Sequence, residues 1–160
     1  MGVNVYPPVF PKQNVVTLTS GSSWTVPTGV TKVTATLIGA GGGSGRSAGS
    51  AEFNNAGSGQ PGEIRITSIT TTPGASISYA IGAGGTGGTS GVAAGQGGTT
   101  TFTGATSAVG GLGGPTNDAV GIAGTPGLAS NNGAMFSVNG GTSRNGAAGG
   151  DGMITLEYWV

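Results

Sequence analysis

The sequence predicts an all-β domain, a β-sandwich or jelly-roll-like fold with long Gly-rich loops and little or no helix. Three observations carry this. Of 160 residues, 37 are Gly and 8 are Pro, more than a quarter of the chain against about 12% in an average protein, and such a density of breakers removes long helices. The apolar residues fall in short runs of period two, rich in Val, Ile and Thr, which is the pattern of half-buried strands. Formal net charge is zero, so no self-repulsion holds the chain open, although Leu, Ile, Val and Phe together make up less than a fifth of it. The length suits one domain whose core, thin in large side chains, invites completion by a partner subunit.

Residues 1–14 carry Pro7, Pro8 and Pro11 around Tyr6, Val9 and Phe10, a composition for an extended arm or linker; packing of Tyr6 and Phe10 back on the domain is the alternative. Residues 15–160 form the single Gly-rich β domain. Strands are expected over 15–19, 24–26 and 30–38, where apolar residues alternate with Thr or Lys. Ser22-Ser23 and Pro27-Thr28-Gly29 between them are turn chemistry. In the run 63–69, Ile64, Ile66 and, after a slip, Ile69 are expected to face a core, with Glu63 and Arg65 toward solvent. A turn at Thr72-Pro73-Gly74 then leads into 75–81, with Ile77, Tyr79 and Ile81 on one face, and the two runs read as a hairpin. Further strands are expected over 99–103 and, more weakly, 107–109. The final run 153–159 puts Ile154, Leu156 and Tyr158 on one face and Trp159 on the other, as a subunit contact or part of a second core face. This last strand must return to the sheet begun near residue 15, because a strand is not stable alone.

Three Gly-rich excursions, 39–62, 82–98 and 110–152, separate these strands and are expected at one end of the scaffold. Gly at this density permits two ordered forms, consecutive tight turns or polyglycine II, the threefold extended helix that packs at collagen-like closeness. No strict Gly-X-X period runs for more than a few steps, so the residues leave the alternatives open.

Composition excludes several chemistries. With no Cys and no His there are no disulfides, no Cys or His metal ligands and no His-dependent triads. Five scattered basic residues, Lys12, Lys32, Arg46, Arg65 and Arg144, make no stripe for nucleic acid, and no apolar run is long enough to insert in a membrane as a helix. The run from Val33 to Gly45 imitates a dinucleotide-binding turn, but the residues after it are too short and Gly-broken for the helix that holds pyrophosphate. No cofactor and no metal are expected. The carboxylates Glu52, Glu63, Asp118, Asp151 and Glu157 are scattered and read as solvated faces, Asp151 as a turn residue before the last strand, so no catalytic residue is assigned.

The order Trp24-Thr25-Val26-Pro27-Thr28-Gly29-Val30, then Leu37-Ile38-Gly39-Ala40-Gly41-Gly42-Gly43, then Pro73-Gly74 before Ile81-Gly82-Ala83-Gly84-Gly85, resembles the glycine-rich domain of bacteriophage tail fibres. Gly97-Gly98-Thr99-Thr100-Thr101-Phe102 and Gly149-Gly150-Asp151-Gly152-Met153-Ile154 continue it, so the resemblance spans about residues 20–160. It implies a non-enzymatic, often trimeric domain at the distal end of a virion tail fibre, contacting bacterial surface polysaccharide or an outer-membrane protein. Other fibre or tail proteins would be reached through residues 1–14. A depolymerising enzyme and a purely structural fibre domain are the alternatives.

Among the aromatics, Trp24, Tyr79, Phe102 and Tyr158 lie on expected strands and read as core. Phe53 and Phe136 fall in Gly-rich excursions, where an aromatic ring either anchors a receptor contact or pins its own loop. With Asn54, Asn55, Arg46 and Arg144 they are the candidate receptor-binding residues.

Overall fold

The computed structural model describes residues 11–46, 57–89, 92–115 and 146–160. Among them there is no helix. Seven strands, β1 (Gln13–Leu18), β2 (Ser23–Thr25), β3 (Lys32–Ile38), β4 (Ile64–Thr70), β5 (Ser76–Ala80), β6 (Thr101–Phe102) and β7 (Met153–Trp159), make two antiparallel sheets, ordered β1-β7-β3-β4 and β2-β5-β6. The fold is an all-β sandwich.

The alternating runs explain the core directly. Val33, Ala35 and Leu37 of β3 and Ile154, Leu156 and Tyr158 of β7 are buried on one face of the larger sheet, meeting Tyr79 and Phe102 of the smaller one. The Trp24 ring spans the two layers, 5.6 Å from Tyr158 and 6.3 Å from Phe102 between centroids. The last strand returns between β1 and β3, closing the sheet as expected. Pairing begins two residues earlier than the sequence suggests, at Gln13↔Trp159, and hydrogen bonds between Lys12 and Val160 prolong it.

Three expectations need correction. The runs 63–69 and 75–81 are not a hairpin: β4 pairs with β3, whereas β5 pairs with β2 and β6. The turn between them is tight as expected, with Ala75 N–H donating to the Thr72 carbonyl and Gly74 at φ 79°, but it carries the chain from one sheet to the other. There is also no slip in β4. Register places Ile69 opposite Val33 and Arg65 opposite Leu37, so Arg65 lies on the core side at the sheet's end, while Ile64 and Ile66 point outward, Ile66 47% exposed. The weak strand at 107–109 amounts to one bridge, Thr100↔Ala108.

The glycine excursions are ordered where described, and their hydrogen bonds have a period of three. Residues 39–45, continuing from β3, form a central segment. Gly39, Gly42 and Gly45 N–H donate to the carbonyls of Glu63, Gln60 and Gly57; Ala40 and Gly43 donate to Gly98 and Gly95; Gly41 and Ser44 donate to Gly150 and Ala147. The Ala40 and Gly43 carbonyls accept from Gly111 and Gly114, and those of Gly41 and Ser44 from Gly85 and Gly88. Each step along the chain thus turns to a different neighbour, as in a threefold polyglycine II helix. Five such segments, 57–63, 82–88, 94–98, 109–115 and 146–152, surround the central one among the described residues.

Close packing of backbones accounts for the glycines. A Cβ at Gly42 would fall on the Leu112 carbonyl, at Gly59 on that of Gly42, and at Gly114 on that of Gly57. In the outer segments exposed side chains recur every third residue: Ala83, Thr86 and Thr89; Ala93, Gln96 and Thr99; Val109, Leu112 and Pro115; Ala148 and Asp151, while the buried Ala40 and Ser44 of the central segment are small. Thr100 locks the bundle to the sandwich. Fully buried, its Oγ1 donates to the Ile38 carbonyl (2.8 Å) and accepts from Gly82 N–H (3.1 Å).

Candidate functional site

The six segments all abut the same end of the sandwich, so their other ends define the far face of the bundle. Seven residues of polyglycine II, 39–45, set that face roughly 20 Å from the sheets. Its layer is closed by backbone bonds: Gly45 N–H to the Gly57 carbonyl (2.9 Å), Gly57 N–H to Pro115 (3.3 Å) and Gly88 N–H to Ser44 (2.8 Å). A Cβ at Gly146 would fall on the Gly88 carbonyl, which puts Gly146 in the same layer. A third connection closes here as Val92 N–H donates to the Thr89 carbonyl (2.9 Å).

Arg46 follows Gly45 directly and is exposed at this face. Phe53, Asn54, Asn55, Phe136 and Arg144 lie outside the described residues. The first three fall in sequence between Arg46 and Gly57, and Phe136 and Arg144 between Pro115 and Gly146. All four of these flanking residues belong to the far layer. Sequence reasoning identified the candidates without seeing that their attachment points converge.

The described carboxylates serve separate places. Glu63 pairs with Arg65 and accepts from Val109 N–H through its other oxygen (3.2 Å), while Arg65 Nε is buried without a partner. Asp151 is not a local turn residue: its Oδ1 accepts from Gly84 N–H at 2.7 Å and ties two bundle segments together. Glu157 sits on the outer face of the larger sheet. Among the described residues no three acidic side chains gather into a metal site; Glu52 and Asp118 lie outside them.

A second candidate surface was only half visible in the sequence. On that outer face a shallow cleft of about 250 Å³ is lined by Lys32, Thr34, Ser68, Glu157 and Trp159. Trp159, which alternation placed opposite Tyr158, covers no second core here and is 57% exposed.

A β-sandwich extended at one end by a polyglycine bundle is the class of protein that these observations define. The model of the glycine-rich domain family matches residues 17–158, nearly the whole chain, and the chain belongs to that family. No curated protein matches it.

Proposed function

We propose that this chain is a bacteriophage tail-fibre tip that binds the bacterial surface through the connections at the far face of its glycine bundle. The observation that carries this reading is the convergence of Arg46, Gly57, Pro115 and Gly146 in one layer. Two long connections with variable-capable sequence, holding Phe53, Asn54, Asn55, Phe136 and Arg144, are thereby rooted on a fixed backbone lattice. Binding residues on loops can change without unfolding a rigid scaffold beneath them, and this is the design that attachment to changing surfaces requires. The motif order shared with tail-fibre glycine-rich domains supports the fibre setting. In this reading the protein acts by adhesion without catalysis, as a homotrimer whose weak contacts gain avidity, and the Pro-containing arm that precedes β1 joins it to other fibre or tail proteins in the virion.

The test is adsorption of the labelled full chain to a panel of bacterial strains. A strain that binds it should lose that binding with Phe53→Ala or Phe136→Ala, at unchanged melting temperature. Unchanged adsorption in both variants would remove the far face as the binding site, and release of oligosaccharides from the cells would favour a depolymerase.

A further inference from the structure

The outer face of the four-stranded sheet is neither a solvated surface of charges nor an apolar interface. Its cross-strand rows carry hydroxyls in the middle and an apolar side chain at one edge: Thr17↔Thr155↔Thr36↔Ile66 in one row, Val15↔Glu157↔Thr34↔Ser68 in the next. At one end of this lawn the indole of Trp159 stands 57% exposed, beside Lys32, Thr34, Ser68 and Glu157 in the same cleft. Among the described residues, the side chains of these four polar residues make no hydrogen bond or ion pair. Lys32 and Glu157 line the one cleft without pairing to each other.

From this arrangement we infer that the cleft is a binding subsite for a single neutral pyranose ring. An exposed indole offers a flat apolar surface with a polar edge, which fits the C–H face of a sugar ring. The four polar side chains then supply what its rim needs. Glu157 accepts from hydroxyl groups, Lys32 donates to hydroxyl oxygens, and Thr34 and Ser68 do either. One positive and one negative group at the same short range favour a ligand rich in both donors and acceptors over an ion of either sign, since any net charge attracted by one is repelled by the other. The cleft has room for one ring and is open, so the contact is weak on its own and gains from repetition along a polysaccharide. This site is separate from the far face of the bundle and stands on its own chemistry, whether or not the receptor-binding reading holds.

The experiment is a nitrogen–proton correlation titration of the full chain with the methyl glycosides of glucose, galactose, mannose, rhamnose and N-acetylglucosamine. Each is taken to about 100 mM, enough to load any site of millimolar Kd. At least one glycoside should move the Trp159 indole crosspeak saturably and leave that of Trp24 in place. Glu157→Gln should raise the Kd roughly tenfold, the cost of one charge-assisted hydrogen bond, and Thr34→Ala should raise it less. Both positions are on the surface, so these variants fold. Absence of a shift with every glycoside overturns the inference, as does an unchanged Kd in both variants. Movement of the Trp159 crosspeak on dilution without sugar also overturns it, by assigning the face to a second copy of the chain.

Discussion

At Gly42 a single added methyl meets the Leu112 carbonyl, which is backbone held on both sides and has no free direction to move. Gly42→Ala should therefore cost at least about 3 kcal/mol, like other overpacked cores, and lower the melting temperature by roughly 6–12 °C. Gly29 is the control. It has φ 84° and nothing near its missing Cβ, so Gly29→Ala brings backbone strain alone, about 1 kcal/mol or roughly 2–4 °C. Calorimetry on the two variants separates lattice packing from conformational freedom, and equal shifts would contradict the packing account. Thr100→Val leaves the Gly82 N–H buried without its acceptor and should cost roughly 2 kcal/mol. The residue-level rule was present in the sequence. Val109-Gly110-Gly111-Leu112-Gly113-Gly114-Pro115 keeps a period of three, as does Ala83, Thr86, Thr89. It does not decide between polyglycine II and consecutive tight turns, because each segment holds only two or three periods before a turn resets the phase, and a repeat so short is indistinguishable from low complexity.

Among elements, β3 and β7 were fully legible, since strict alternation in each fixes both the strand and its buried face. The run at β4 misled because three Ile at 64, 66 and 69 do not share one parity, and composition alone does not say which parity the partner strand enforces. Pairing with β3 decides it: only Ile69 joins Val33. Ile69→Thr should accordingly cost about 2 kcal/mol through lost burial and an unpaired hydroxyl, whereas Ile66→Thr should stay within about 0.5 kcal/mol. Urea unfolding of the two variants checks this, and the reverse order would restore the slipped register. The supposed β4–β5 hairpin failed for a related reason. Pro73-Gly74 specifies a tight turn, and a tight turn serves equally well to pair two strands or to pass from one layer of a sandwich to the other.

For the whole molecule, sandwich and bundle are one structure, because every bundle segment is continuous with a strand or its flanking bridge and Thr100 is buried at the seam. The candidate receptor-binding residues were legible as residue types, yet the convergence of the described residues that flank them was not, since Arg46, Gly57, Pro115 and Gly146 come together only through bonds between segments distant in sequence. The proposed trimer predicts a concentration-independent mass three times the chain's 15.1 kDa in light scattering. The outward row of Val109, Leu112 and Pro115, with Leu112 54% exposed, is the apolar edge that such an assembly would cover, so Leu112→Asp should release monomers. A monomeric native chain at micromolar concentration would contradict the trimer and leave the fold intact. The central claim is that the glycine-rich half is a hydrogen-bonded scaffold unfolding together with the sheets, and residue-resolved amide exchange on the native full chain tests it most directly. Every N–H from Gly39 to Gly45 has a backbone acceptor, so these amides should exchange as slowly as those of Val33 to Leu37 in β3, through global unfolding alone. Exchange of Gly41 to Gly45 at the rates of an unstructured chain, while β3 stays protected, would show glycine loops draped on a sandwich and contradict the account.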